Sequence, residues 1–352
     1  MRRATHNTLG TTTSAIDSVR VAVVVIGRNE GDRLRACLDS VLAMDYPRHL
    51  LDVIYVDSAS TDSSVALAQS LGVRTILLDG PTTAARARNA GWTQTSAPFV
   101  LFLDGDTLLH PAFVRSAIRH FAEPSIAGVF GDRREMRTAD SIYNALFDLD
   151  WNTQPGFTPW FGGDALVRRE ALATVHGYND RLIAGEEPEM CRRMRERGYS
   201  ILHLAEPMTG HDLAMHSFRQ YWRRSMRTGH AYAEISALYS NTADPLWTEE
   251  SHRNVVRGLF WLVAPAGCAV ATLTRRSWLP IGLFAAGALA VGARTALRAG
   301  SRIPVQTRSP RLLLAYTLHS HLQHVPIFFG QLRFWLERRR GRRSGIIEYK
   351  TS

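Results

Sequence analysis

Cysteine is scarce in this chain: three in 352 residues, Cys37, Cys191 and Cys268, each on a different helical pattern. That spacing excludes a disulfide framework and a clustered thiolate zinc site, and it suits a reducing compartment. Residues 1–19 are polar, rich in Thr and Ser and without an apolar core, so they read as a disordered lead and not as a signal peptide. No internal repeat is present. Long apolar runs are also short of the usual bilayer requirement of roughly 20 residues, since 258–274 and 278–293 hold about 17 and 16. Acidic residues trail basic ones, 32 against 42, for a formal charge of +10. A basic balance implies an acidic partner. Because the arginines concentrate in the half that carries the apolar runs, that partner is anionic lipid and not nucleic acid.

Against these absences stands one stretch, 99–106, FVLFLDGD, in which an apolar run ends in two carboxylates one residue apart. The run reads as a buried parallel strand, which brings Asp104 and Asp106 out together at its C-terminal end, where open α/β sheets hold their ligands. Two hard oxygen donors there suit Mg²⁺ or Mn²⁺, completed by substrate phosphates. The bland alternative is an acidic turn. Upstream the chain alternates VAVVVI (21–26), an amphipathic stretch (31–44), VIYVD (53–57), a second helical pattern, VRTILL (73–78) and a third. Strands alternating with helices of this length make βαβ units. Each strand ends in a polar cluster, so 27–30 and 57–62 belong on one rim of the sheet.

Other segments carry their own chemistry. Glu186 and Glu187 precede Pro188, a residue favoured at the first helical position, so a helix is expected over about 188–197 with both carboxylates at its positive end. Arg88 offers a rigid fork of donors to phosphate oxygens. Gly162 and Gly163 allow close backbone approach, and Trp160 offers a flat apolar face for a ligand to stack on. On Q-Y-W-R-R (220–224), Arg223, Arg224 and the nearby Arg227 form an anion site or, alternatively, the basic face of a lipid-bound helix.

Six motifs in order, I-G-R-N-E (26–30), Y-V-D-S-A-S-T-D (55–62), A-R-A-R-N-A-G (85–91), F-L-D-G-D (102–106), F-G-G-D-A-L (161–166) and G-E-E-P-E-M-C-R-R-M-R-E-R-G-Y (185–199), together resemble family 2 glycosyltransferases of the GT-A fold. The resemblance spans roughly residues 20–235. It implies a mostly parallel, Rossmann-like sheet with helices on both faces, and inverting transfer from a nucleoside diphosphate sugar, a UDP-sugar being favoured. It further implies that Asn29, Glu30, Asp57, Arg88 and Asn89 bind the donor. Asp104 would contact the ribose or metal, Asp106 and His211 would complete the Mn²⁺ or Mg²⁺ site, and Trp160, Gly163 and Asp164 would meet sugar and acceptor. The second residue of the 186–187 pair occupies the place of the general base; here it is Glu187 where the family usually has Asp, with Glu186 as the alternative catalytic carboxylate. Q-Y-W-R-R resembles the Q-x-x-R-W signature of processive synthases, with Arg224 in place of Trp. A phosphotransferase would need D-x-D-x-T, and Thr107 falls one place early. A sugar nucleotidyltransferase would need a Gly-rich basic loop after the first strand, which G-R-N-E is not. A non-catalytic scaffold would not be expected to keep Asp104, Asp106, Glu186 and Glu187.

From about 236 onward a membrane-associated region is expected. The two apolar segments at 258–293 read as a hairpin or a re-entrant pair, flanked by Arg253, Arg257, Arg294, Arg298 and Arg302 and joined by Arg275 and Arg276. The positive-inside rule then puts the catalytic domain on the cytoplasmic face of the inner membrane. Residues 312–336 are expected to form one interfacial helix anchored by Phe334 and Trp335, its histidines solvated or interfacial, followed by an arginine cluster at 338–343 on anionic headgroups. A glycan or lipid-linked acceptor fits that location.

Overall fold

The structure is a computed structural model in which residues 18–80, 82–151, 154–303, 309–342, 345 and 347 are described. The expected N-terminal lead lies, but for its last two residues, outside the described residues, as does Arg343 of the arginine cluster. The chain forms two units: residues up to 136 with 152–181 and 186–212, and residues 137–151, 182–185 and 213 onward.

The first unit is built on a nine-stranded sheet ordered β3-β2-β1-β4-β8-β6-β9-β5, with β7 also paired to β9. Strands β1 (Val21–Gly27), β2 (Leu51–Asp57), β3 (Arg74–Leu77) and β4 (Phe99–Asp104) run parallel. Their apolar runs are continuous because both faces are covered. Val21, Val23, Val25, Leu101 and Leu103 enter one core with α1 (Asp32–Leu42), whereas Ala22, Val24, Ile26, Val100 and Phe102 enter another with α3 (Ala84–Trp92). Gly91 lets α3 lie directly on β1, since a Cβ there would come within 2.3 Å of Val24. The short α2 (Ser64–Ser70) follows β2.

Beyond β4 the sheet turns mixed. Strand β8 (Ala165–Arg168) is antiparallel to both β4 and β6 (Ile126–Glu135). Strand β6 runs parallel to β9 (Ser200–His211), while the short β5 (Thr107–Leu109) and β7 (Gly156–Thr158) are antiparallel to β9. Three further helices complete this unit: α4 (Phe113–Ala117), α6 (Arg169–Thr174) and α7 (Glu186–Glu196). Helix α7 starts two residues before the expected position, so Glu186 and Glu187 lie inside its first turn. Pro188 is tolerated because the first four helical N–H groups have no intrahelical partner.

The second unit holds α5 (Ile142–Trp151), α8 (Phe218–Tyr239), α9 (Thr248–Arg275), α10 (Leu279–Arg302), α11 (Pro310–Leu322) and α12 (His324–Arg339). Helices α8 and α12 meet backbone to backbone: a Cβ on Gly229 would lie 2.0 Å from the Ile327 carbonyl oxygen, and one on Gly330 would lie 2.0 Å from that of Met226. The expected single helix over 312–336 is two, parted at Gln323. Phe334 is buried edge-on against His230 and is no surface anchor; Trp335 is exposed. Nor are His319 and His324 solvated. His319 is buried between Tyr221 and Asp150, each 2.9 Å away, and His324 bonds Asn254 at 2.9 Å. Burial, then Arg257, lowers His324 to about pKa 4. Burying a polar ring without partners would cost more than these pairings, which explains their arrangement.

Helices α9 and α10 are longer than the apolar runs within them. Residues 248–275 and 279–300 are long and apolar enough to cross a membrane, with 11% and none of their most apolar stretches buried. The turn between them is made by Arg276 in a left-handed conformation, φ 49°.

Candidate active site

Strands β1 and β4 pair in register, Ile26 beside Asp104, so the polar ends of both strands reach the same rim. The Asp104-Gly105-Asp106 turn is tied there by two hydrogen bonds, Gly105 N–H to the Ile26 carbonyl at 2.8 Å and the Thr107 hydroxyl to the Asp104 carbonyl at 2.8 Å. Thr107 thus closes a turn.

Arg88 is the organising cation. Its side chain is 2% exposed, and its guanidinium reaches Asp104 at 2.9 Å, Glu186 at 3.0 Å and Glu187 at 2.8 Å. Sequence separations of 16 and 98 residues are closed by this one group. Gly163 makes the arrangement possible: a Cβ there would stand 2.7 Å from an Asp104 carboxylate oxygen and 2.9 Å from an Arg88 nitrogen. Behind Arg88 lies the Tyr178 ring, 5.6 Å from the guanidinium carbon. Three carboxylates around one guanidinium leave an excess of negative charge. Burial first, and then Glu186, raise the Glu187 carboxyl to about pKa 7 against the opposing pull of Arg88. Desolvation, then, outweighs the ion pair here.

A second cluster adjoins the same turn. His211, at the end of β9, places Nε2 3.3 Å from Asp106 and Nδ1 3.5 Å from Glu135. All three side chains are buried. Asp164 accepts from the Asp104 amide at 3.2 Å and from the Thr209 hydroxyl at 2.8 Å. Arg133 stands 3.6 Å from Asp164 and 3.8 Å from Asp104. Burial raises the Asp164 pKa; Arg133 opposes the rise and Asp104 adds to it.

These residues fit a divalent cation of a particular kind. The His211 Nε2 and the Asp106 carboxylate face one another, and Glu135 on Nδ1 would fix the ring's tautomer and orientation, the usual support for a metal-bound histidine. Among the described residues no group of three or more His, Cys, Asp or Glu is arranged to hold a metal unaided. A divalent ion held by this pair would need its remaining ligands from phosphate oxygens or water.

Several expected donor contacts have structural work as well. Asn29, at φ 55°, accepts from Thr61 N–H at 2.7 Å, and its own N–H donates to Ser60 at 2.9 Å, lacing the β1 and β2 loops together. Glu30 is buried and pairs with Arg33 at 2.8 Å. Asp57 accepts from the Tyr55 hydroxyl at 2.8 Å and from Ser60 N–H at 2.8 Å, holding the loop after β2. Asn89 clamps the Tyr178 backbone, donating to its carbonyl at 2.8 Å and accepting from its N–H at 3.0 Å. Trp160 packs partly buried against the core that contains Phe102.

In the helical unit, Gln220 completes a capping box with Ser217 at the start of α8. Arg223 lies on the same helix, and the Arg224 guanidinium stacks over Phe147, 4.7 Å from the ring centre. Sequence reasoning missed Arg133, Glu135 and Tyr178. None lies in a recognisable motif, and only strand pairing and loop packing bring them to the cluster.

A family model for glycosyl transferase family 2 matches residues 22–170, and one for glycosyl transferase family group 2 matches residues 99–295, more than half the chain. The chain belongs to glycosyltransferase family 2. Among curated relatives, this glycosyltransferase is 22% identical over 228 residues to glycosyltransferase AglE of Haloferax volcanii, covering 62% of the chain and 74% of AglE. It is 23% identical over 241 residues to the pre-mycofactocin glycosyltransferase of Mycobacterium tuberculosis, covering 64% of the chain but 49% of that relative. Among solved structures, the mannosyltransferase PcManGT of Pyrobaculum calidifontis superposes with a TM-score of 0.66 at 19% identity, over 92% of this chain and 89% of that one. Residues 1–349 of TarS from S. aureus give 0.51 at 14%, over 92% of each chain. These likenesses establish a GT-A-like fold.

Proposed function

We propose that the protein transfers a sugar, with inversion, from a nucleoside diphosphate donor to a glycan or lipid-linked acceptor, with Glu187 as general base. The observation that carries this reading is Glu187 held across Arg88 from Asp104 of the D-G-D turn. A base titrating near neutrality is poised both to take a proton and to be ionised beforehand. In the reaction the acceptor hydroxyl gives its proton to Glu187 as its oxygen attacks the anomeric carbon, and the bond from that carbon to the diphosphate breaks with its electron pair leaving on the phosphate oxygen. Arg88 keeps Glu186, Glu187 and Asp104 in fixed relation. Arg133 lies where a guanidinium can also meet phosphate oxygens. Asp106 and His211 would hold Mn²⁺ or Mg²⁺, which supplies neutralisation of the charge developing on the leaving diphosphate. PcManGT, whose solved complex contains GDP-Man and Mn²⁺, supports a nucleotide-sugar donor and a divalent ion.

The helical unit supports a membrane location. Helix α9, 28 residues long, and α10, of 24, exceed the roughly 20 needed to cross the hydrocarbon core. Arginines at 253, 257, 294, 298 and 302 outnumber those at 275 and 276, so the ends of the hairpin, and with them the catalytic unit, belong on the cytoplasmic side.

The test is Glu187→Gln in detergent-purified full-length protein, with UDP-, GDP- and dTDP-sugars offered with and without Mn²⁺. Metal-dependent thermal stabilisation by one donor is expected in both proteins, with transfer lost by a factor of about 10²–10⁴ or more in the variant. Full transfer by Glu187→Gln would remove it as base.

A further inference from the structure

Helix α12 carries Phe329, Leu332, Arg333, Leu336 and Glu337 at helical spacing along one side, with Arg340 at its C-cap, and α8 faces them with Trp222 and Met226. Between them runs an open groove of about 460 Å³. Its floor is apolar: Trp222 and Phe329 lie 6.0 Å apart, and Leu332 and Leu336 remain 39% and 42% exposed. Its rim is charged. Arg333 is taken up by Glu337, 2.8 Å away, so these two cancel. Arg340 is left as the net charge of the lining, at the end of α12, where Arg338, Arg339 and Arg342 continue the cationic run. Arg338 lies over the rings of Phe334 and Trp335, at 5.9 and 5.5 Å, in the way that basic and aromatic side chains meet at a membrane interface.

An apolar trough ending in arginines matches one chemistry, an acyl chain joined to an anionic headgroup. The same unit exposes Leu283, Leu289 and Leu297 on α10 and Val263 and Leu273 on α9, surfaces that water would oppose and lipid would cover. We propose that the α8–α12 groove is a binding site for a single anionic bilayer phospholipid, its chain along Trp222, Met226, Phe329, Leu332 and Leu336 and its phosphate on Arg340. Such a site combines burial of methylenes, each adding to affinity, with an attraction that only a charged headgroup supplies.

The proposal concerns binding and stands apart from the transfer reaction, so loss of the Glu187 reading would leave it intact. The experiment titrates full-length, detergent-solubilised protein with dioleoyl phosphatidylglycerol and, separately, dioleoyl phosphatidylcholine, counting bound lipid by native mass spectrometry. One phosphatidylglycerol should bind per chain, at least roughly tenfold more tightly than phosphatidylcholine. Arg340→Glu should remove that preference. Leu336→Glu should weaken both lipids by roughly tenfold or more, since it puts a carboxylate into the trough. Both positions are at the surface, and unchanged thermal melting would confirm that the variants fold. Equal binding of the two lipids, or binding unaltered by either substitution, would overturn the assignment. So would a polyprenyl phosphate that displaces phosphatidylglycerol at equimolar concentration, or a protein dimer that Leu336→Glu dissociates and phosphatidylglycerol does not.

Discussion

The sheet unit and the helical unit handle charge in opposite ways. In the first, charge is taken inside: Arg88 is 2% exposed and meets three carboxylates, while Asp106, Glu135 and His211 are buried together. In the second, apolar side chains are left outside, with Leu273, Leu289 and Leu297 each more than 70% exposed. Burying an ion pair costs several kcal/mol in desolvation for each ion, a cost acceptable where chemistry needs fixed charges. Exposing leucine is also unfavourable in water, by about 1.5–3 kcal/mol for a full side chain, and that cost is relieved when the solvent is lipid. On the membrane location proposed above, the contrast is that of one chain adapted to two solvents.

The strongest way to break the comparison is Arg88→Ala. It strands Asp104, Glu186 and Glu187 without their shared cation, and a loss of about 3–5 kcal/mol is expected. Thermal or urea unfolding measures it; unchanged stability would mean that the buried charges are individually solvated. Next, Leu289→Arg on α10 should oppose membrane insertion by about 2.5–3.5 kcal/mol while leaving donor binding by the solubilised protein intact. Membrane fractionation checks the first part and thermal shift the second. If insertion were unaffected, α10 would not lie in the hydrocarbon.

A third prediction concerns pH. With Glu187 raised to about pKa 7, the proposed base would be protonated and idle on the acid side. The rate should therefore climb roughly tenfold per pH unit up to about 7 and then level, a difference of about 1.4 kcal/mol per unit. An acid limb near the ordinary glutamate value of about 4.3 would show that Arg88 dominates and not burial. The smallest effect is expected at Ser217→Ala, which opens the capping box of α8 at a cost of about 1 kcal/mol, read as a lower melting temperature with transfer unchanged.

Much of the first unit was legible in the sequence. The parallel half of the sheet and the position of the D-G-D turn follow from apolar runs that coincide with β1 and β4 to within a residue and with the last five residues of β2, because two-sided burial leaves a continuous local trace. Legibility failed where the pattern had two explanations. Residues 312–336 are apolar with interspersed histidines that read as solvated or interfacial, yet His319 and His324 turn inward to Asp150, Tyr221 and Asn254 and the helix parts at Gln323. The apolar segments at 258–293 looked short because charged residues interrupt the composition, whereas the backbone carries α9 back to Thr248 and α10 on to Arg302. Gln220, read beside a processivity signature, is also a helix cap.

By itself the sequence determined the alternation of strands and helices, the carboxylates at the rim and the apolar character of α9 and α10, since each depends on neighbours a few residues away. Only the tertiary structure decided that Arg88 would join Asp104 to Glu186 and Glu187, that Glu135 would stand behind His211, and that Arg133 and Tyr178 would border the cluster. Those groups lie far apart along the chain, and no local periodicity encodes their meeting. The strand order β1-β4-β8-β6-β9 brings Asp104, Arg133, Glu135 and His211 to one rim, and the packing of α3, α7 and the loop that carries Tyr178 adds the others.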